Sequence, residues 1–150
     1  MEFPLNQLQL DPSHISAVED EFESIILAKY TAFKKGSAAL VMAFKQEVDK
    51  HGSIYNVPYV ILQKYSSPLK SLLEINQNLQ LDLQRQVNKN TKDLEYIRDR
   101  GGENSFIHTI AHRKREKLYK KIEYFDNIEI LYIAIEFCME KNSNGFKIQN

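Results

Sequence analysis

The chain has 150 residues with 20 basic and 20 acidic side chains, a length that fits one domain and a balance that excludes a histone-like polycation. Its hydrophobic fraction of 43% is too high for general disorder, and five glycines with four prolines favour long helices over many short strands. A single cysteine excludes an intramolecular disulfide, and the lack of a signal peptide or of an apolar run of about 18 residues predicts a cytoplasmic protein with no transmembrane segment.

The N-terminal segment is expected to lead into a long amphipathic helix. Residues 1–10 are interpreted as an extended lead-in. Asp11 and Pro12 are typical of an N-cap and a first helical position. Apolar residues then recur every three to four positions, which predicts a first helix over about 13–35.

A second helical stretch follows over 38–48 and is expected to end at His51 and Gly52. Gly36 separates the two stretches. Because one glycine in a helix costs only about 1 kcal/mol relative to alanine, the sequence leaves open whether they form one continuous helix. Residues 53–57 are interpreted as a linker.

The middle of the chain predicts a third helix. A short apolar piece over 59–65 precedes Ser67 and Pro68, which are typical of an N-cap and a first helical position. A long apolar stripe follows and crosses a polar stretch at 88–91, where we expect a bend or a break. The glycine pair at 101–102 is expected to end the helix.

Two further helices are predicted before the C-terminus. Asn104 or Ser105 is a candidate cap for a fourth helix over about 105–121. Asp126 is a candidate start of the last helix, over about 127–141, with Glu129 completing a capping box. The polar run from Asn142 to Gly145 is expected to stop that helix.

These elements sum to an all-α fold, an antiparallel bundle of four to five helices in a single domain over 1–150. No convincing strand-like alternation and no repeat with a period of 20–50 residues is visible. The residues at 142–150 are expected to form a frayed tail.

Charge is distributed unevenly along the chain. Residues 1–26 carry six acidic side chains and no basic one, whereas 108–121 carry six basic side chains and one acid. Such a basic segment is typical of a phosphate-contacting surface, and four of its residues are predicted to bind phosphate: Arg113, Lys114, Arg115 and Lys117. The alternatives are a solvated helix face and a cationic partner for the acidic first helix.

Two histidines begin the same segment. His108 and His112 are four residues apart and share a helix face with Arg115 and Tyr119. A pair of imidazoles at this spacing is able to ligate a divalent metal, but a metal site needs further ligands and an HExxH arrangement is missing. We therefore expect no metal and no cofactor.

The same groups suit acid–base chemistry on RNA. Attack by a ribose 2′-hydroxyl needs a base for that hydroxyl, an acid for the leaving 5′-oxygen and a cation beside the phosphate. Histidine serves both proton-transfer roles near neutral pH. The candidate catalytic residues are His108, His112, Arg98 and Arg100, with the two arginines just before the glycine pair.

The stretch from Ile97 to His108, followed by residues 110–113, resembles the HEPN superfamily of all-α bundles. That family is typified by an arginine, often a polar residue, then four to six residues and a histidine; here seven residues separate Arg100 from His108. The resemblance implies a metal-independent endoribonuclease of a toxin or phage-defence type that acts as a homodimer. It assigns Arg100 to the phosphate and His108 to proton transfer, with His112 as the second choice, and a non-cleaving member is an alternative.

Two other functions are compatible with the sequence. Long amphipathic helices are typical of a non-catalytic interaction or regulatory module with a protein partner. The basic helix over 105–121 is also compatible with peripheral binding to an anionic membrane surface.

Overall fold

A computed structural model of the protein describes residues 21–149, and side chains from 23 to 142. This part of the chain contains four helices and no strand: α1 (Glu21–His51), α2 (Tyr59–Ile75), α3 (Leu79–Asp99) and α4 (Phe106–Gln149), with a 3₁₀ turn at Ile54–Asn56. The predicted all-α class and helical bundle are confirmed. The expected lead-in at 1–10 and the helix start at Asp11 lie outside the described residues.

The chain divides into two compact units. Unit 1 contains the described residues up to Lys29 together with Asn78–Glu123. Unit 2 contains Tyr30–Gln77 together with the described residues from Tyr124 onward. Both units draw segments from α1 and α4. The single domain expected over 1–150 stays a prediction.

Helix α1 runs without interruption through Gly36, which resolves the open question of one helix or two. A methyl group added at Gly36 would lie 3.3 Å from Cδ2 of Leu72 on α2. The glycine therefore serves close packing between α1 and α2 in unit 2. Helix α1 ends at His51, as predicted, and Gly52 follows with a φ of 88°.

Helix α2 begins nine residues earlier than predicted. Its first residue is Tyr59, with Pro58 at the N-cap, and the expected start at Ser67 and Pro68 is wrong. Pro68 lies inside the helix, where it lacks the N–H that would bond four residues back. The buried side chains follow one helix face across the proline, which explains why tertiary packing overrides this local stop signal: Leu62, Tyr65, Ser66 and Leu69.

The break in the middle of the chain also differs from the prediction. Helix α2 ends at Ile75, and α3 begins at Leu79 and continues through the polar stretch 88–91, where a bend or break was expected. The chain turns instead at Asn76, whose amide Nδ2 donates to the carbonyl of Leu72 at 2.8 Å. The backbone N–H of Asn76 donates to the same carbonyl at 3.1 Å, so Asn76 closes the last turn of α2 with both its side chain and its backbone.

Helix α4 is a single helix of 44 residues, so the predicted separation at Asp126 is wrong. No glycine or proline lies between Phe106 and Asn144, and buried residues recur at helical spacing around the expected break: Phe125, Ile128, Ile135 and Cys138. The capping-box pattern at Asp126 is thus overridden by continuous packing. The helix also passes Asn142–Gly145, where a stop was predicted, and continues to Gln149.

Aromatic side chains fill part of the core of unit 2. The rings of Phe33 on α1 and Phe125 on α4 lie 4.9 Å apart between centroids. Beside them, the buried hydroxyl of Ser37 donates to the carbonyl of Phe33 and shares a hydrogen bond of 2.7 Å with the Tyr124 hydroxyl. The candidate catalytic residues, in contrast, lie in unit 1.

Candidate functional site

The loop between α3 and α4 closes through the glycine pair, as predicted. Gly101 has a φ of 74°. Its N–H donates to the carbonyl of Arg98 at 2.9 Å, and the N–H of Gly102 donates to the carbonyl of Ile97 at 2.9 Å. These two bonds form a Schellman motif, in which a residue of positive φ satisfies the last carbonyls of the helix. The motif turns the chain within a few residues.

Ser105 begins α4 at the predicted position. Its Oγ accepts a hydrogen bond from the N–H of His108 at 3.2 Å and donates one to the carbonyl of Gly102 at 2.7 Å. The N-cap serine thus connects the glycine turn directly to the backbone of His108. Hydrogen bonds of the neighbouring Ser105 therefore fix the first turn of α4, which carries the imidazole of His108.

Helices α3 and α4 are antiparallel and pack through a small apolar cluster of Ile97, Ile107 and Ala111. Asn90, with 1% of its side chain exposed, lies within this interface. Its Nδ2 donates to the carbonyl of Ala111 at 2.9 Å. This bond explains why the polar stretch 88–91 does not break α3: one of its residues faces inward and finds its partner on α4.

The two histidines share one face of α4, as their spacing predicts. The imidazole rings of His108 and His112 lie 5.5 Å apart between centroids, edge to face. His108 is half-buried and His112 is exposed. The pair therefore combines a sheltered imidazole with one that is open to solvent.

Arg115 and Tyr119 extend this face. The Nη2 of Arg115 donates to the Tyr119 hydroxyl at 3.0 Å, and its Nη1 donates to Oγ1 of Thr91 on α3 at 2.8 Å. We call the surface formed by His108, His112, Arg115, Tyr119 and Thr91 the histidine flank. Thr91 was not predicted as a site residue. Its hydroxyl donates to the carbonyl of Val87 and accepts from Arg115, so it holds the guanidinium in a fixed direction.

The two predicted arginines of α3 differ in position. The guanidinium of Arg100 lies 3.7 Å from the ring centroid of Tyr96, and Tyr96 is about 140° around the helix from Thr91. Arg98 lies about two turns after Thr91 on α3, so its side chain starts from nearly the same side of that helix. Arg98 therefore lies on the side of α3 that carries Thr91, whereas Arg100 lies over the ring of Tyr96.

Three of the four residues predicted to bind phosphate line one cavity, and the fourth, Arg115, lies apart from them. Arg115 belongs to the histidine flank, whereas Arg113 and Lys117 project about 140° and 180° from His108 around α4. These two residues, with Lys114 and Lys121, line a cavity of about 300 Å³ against α1 and α3. Lys121 was missed as a member of this group, although its spacing of four from Lys117 is visible in the sequence.

Lys114 forms an ion pair in this cavity. The Nζ of Lys114 lies 2.7 Å from Oε1 of Glu23 on α1, so for this residue the alternative of a cationic partner for the acidic first helix is confirmed. Burial lowers the pKa of the neighbouring Lys121, the charges of Lys117 and Lys114 lower it further, and Glu23 opposes them. Positive charge is thus crowded at this surface.

Cys138 is buried on α4, as expected for a small apolar residue, and burial raises the pKa of its thiol. Within residues 21–149, no three histidine, cysteine, aspartate or glutamate side chains are grouped so that they could hold a metal ion. None of the four described helices combines the length and apolar character needed to cross a bilayer.

No family model, curated protein or solved structure matches the chain.

Proposed function

We propose that the histidine flank of unit 1 binds RNA and cleaves it without a metal ion. The observation that carries this proposal is the pair of imidazoles 5.5 Å apart, next to a guanidinium that Thr91 and Tyr119 hold on the same face. Two proton-transfer groups and one fixed phosphate ligand are the groups that this reaction requires. The resemblance to the HEPN superfamily supports the same reaction class.

The proposed step uses the ribose of the substrate as the nucleophile. One imidazole accepts the proton of the 2′-hydroxyl while the 2′-oxygen forms a bond to phosphorus. The bond between phosphorus and the 5′-oxygen breaks, and the second, protonated imidazole donates its proton to that oxygen. The products are a 2′,3′-cyclic phosphate and a 5′-hydroxyl, so the two histidines exchange protonation states in one turnover.

Arg115 stabilises the charge that develops on the phosphate. Its planar guanidinium makes two hydrogen bonds to protein groups and keeps further N–H donors for a ligand. Arg98, which lies on the same side of α3 as Thr91, supplies a second cation. In this assignment Arg98 takes the role that the family resemblance gives to Arg100.

Cleavage of end-labelled RNA in the presence of a chelator tests the proposal. We expect His108→Ala and His112→Ala each to lower the rate on the order of 100-fold or more, because each removes one proton-transfer group. Lys120→Ala is the matched control, since Lys120 is exposed on the same helix outside the histidine flank. Circular dichroism verifies that the variants fold.

The roles of the two arginines are separated by the same assay. Arg98→Ala is expected to lower the cleavage rate more than Arg100→Ala does. Unchanged degradation by both histidine variants would show that the activity belongs to a contaminant and would overturn the proposal. A wild-type protein that neither binds nor cleaves RNA would overturn it as well.

A second candidate function rests on unit 2. Three apolar residues at helical spacing on α4 remain well exposed there: Ile130 (62%), Ile133 (63%) and Phe137 (50%). Glu136 and Glu140 border this stripe, so its complement is a basic amphipathic segment of a protein partner. Loss of partner binding in Ile133→Asp, with RNA cleavage retained, would assign this surface to the interaction role that the sequence leaves open.

The homodimer implied by the family resemblance is part of the first proposal. Sedimentation velocity of the wild-type chain measures its oligomeric state directly. We expect a dimer when the protein cleaves RNA, because members of that family place two motifs at one cleft. A monomer with full activity would show that RNA cleavage does not require a dimer.

A further inference from the structure

A second site is formed on the other side of α4 from the histidine flank. The cavity of about 300 Å³ in unit 1 lies between α4 and residues of α1 and α3. Between residues 23 and 142, the apolar side chains that line it are all aliphatic: Ile26, Leu27, Leu83, Ile110 and Leu118. This volume is at the lower end of the range of small-molecule pockets, whose walls are mostly apolar with a few polar groups.

The polar part of the lining is strongly cationic. In the described part of the lining, the side chains of Arg113, Lys114, Lys117 and Lys121 accompany a single carboxylate, that of Glu23. Lys114 pairs with Glu23, and the exposed Arg113 and Lys117 give an excess of positive charge beside the aliphatic walls. Such an excess is stabilised by an anion bound among the cationic groups.

The apolar lining discriminates between kinds of ligand. A nucleobase is recognised by aromatic stacking and by hydrogen bonds to its edges, but among the described residues the lining has no aromatic ring and Gln86 is its one uncharged polar residue. Leu27 and Ile110 are still 49% and 44% exposed, so apolar surface is open to a ligand. Aliphatic walls of this kind fit a saturated hydrocarbon chain.

We propose that this cavity binds a small amphiphile that consists of an aliphatic chain with one anionic head group, a carboxylate or a phosphate. The chain lies against the leucine and isoleucine side chains. The head group binds Arg113 and Lys117, which are the two exposed cations of the lining. The site is separate from the proposed RNA site because Arg113 projects about 140° from His108 around α4.

Isothermal titration calorimetry with four probes tests the inference. The probes are decanoate, decyl phosphate, an uncharged decyl glycoside and inorganic phosphate, each below its micelle-forming concentration. We expect at least one of the two anionic amphiphiles to bind on the order of tenfold more tightly than the glycoside and the inorganic phosphate, because only they satisfy both parts of the lining. The tighter of the two identifies the head group.

Matched variants locate the binding. Arg113→Gln combined with Lys117→Gln should weaken binding of the anionic amphiphile on the order of tenfold, whereas Lys120→Gln, outside the cavity, should not change it. Ile110→Trp, which fills the cavity opening, should weaken binding without a change in charge. The inference is overturned if the glycoside binds as tightly as the anions, if no probe binds, or if the double variant binds like the wild type.

Discussion

The guanidinium of Arg115 on α4 donates a hydrogen bond of 2.8 Å to the hydroxyl of Thr91 on α3. The same hydroxyl donates to the carbonyl of Val87 at 2.9 Å, so Thr91 is fixed on its own helix. The direction of the guanidinium therefore depends on both helices. This relationship connects the packing of unit 1 to the chemistry proposed for the histidine flank.

Removing the Thr91 hydroxyl should release Arg115. We expect Thr91→Val to lower the free energy of unfolding by about 1 kcal/mol and to slow RNA cleavage, because a partly buried hydrogen bond is lost and the guanidinium is no longer oriented. A double-mutant cycle with Arg115→Ala, measured by urea unfolding, should give a coupling energy of about 1 kcal/mol.

Thr109→Val is the control for this cycle, since Thr109 is exposed and its hydroxyl bonds only within α4. Its effect on unfolding should stay within about 0.5 kcal/mol. Zero coupling between positions 91 and 115 would show that the two side chains act independently and would contradict the role given to Thr91.

Asn90 is expected to be the most sensitive polar residue of the α3–α4 interface. Asn90→Ala should cost about 2 kcal/mol, because it removes the bond to Ala111 and leaves a gap at a buried position. The Oδ1 of Asn90 is buried without a hydrogen-bond partner among the described residues, so Asn90→Leu should cost less than the alanine variant. Urea unfolding measures both, with the exposed Asn88→Ala as reference. A cost for Asn90→Ala no larger than that of the reference would contradict this prediction.

Local signals in the sequence predicted three helix boundaries correctly, whereas the expected boundaries at Pro68, Asp126 and Asn142–Gly145 were wrong. Gly52 and the glycine pair end α1 and α3, and Ser105 caps α4, because capping depends on groups within a few residues of each other. Signals inside helices misled the prediction. Pro68 and the stretch 88–91 resemble boundaries locally, yet packing partners on other helices stabilise the helix there.

The candidate site was predictable only in part. The shared face of His108 and His112 follows from their spacing alone, and the structure confirms it. The choice between Arg98 and Arg100, and the participation of Thr91, depend on the register between α3 and α4, which a single sequence does not contain. Grouping the basic residues by composition also merged two surfaces that lie on different sides of α4.

Gly36 provides a test of close packing in unit 2. Alanine is favoured over glycine in a helix by about 1 kcal/mol, but a methyl group here would lie 3.3 Å from Leu72 Cδ2, which opposes that gain. We expect Gly36→Ala to change the free energy of unfolding by less than about 0.5 kcal/mol in the wild type. In a Leu72→Ala background the same change should stabilise by about 1 kcal/mol. Equal effects in the two backgrounds, by urea unfolding, would argue against the packing role.

The carboxyl of Glu129 gives unit 2 a specific dependence on pH. Burial raises its pKa above the usual range, and the charge of Asp126 raises it further. The folded state therefore binds a proton more tightly than the unfolded state, so stability should fall as pH rises from the unfolded pKa through the folded pKa. Glu129→Gln should raise the melting temperature above that of the wild type at neutral pH, and this difference should disappear at acidic pH. Glu116→Gln, an exposed carboxyl, serves as the control, and a pH-independent difference would contradict the prediction.

The requirement for a ribose 2′-hydroxyl tests the central claim most directly. The substrate is a DNA oligonucleotide with one ribonucleotide at a defined position, incubated with the wild-type chain and with His108→Ala in the presence of a chelator. Proposed attack by the 2′-oxygen predicts a single cut on the 3′ side of that ribonucleotide, ending in a cyclic phosphate, and its loss in the variant. Cutting of the all-DNA strand at the same rate, or no cut at the ribonucleotide, would contradict the chemistry assigned to the histidine flank.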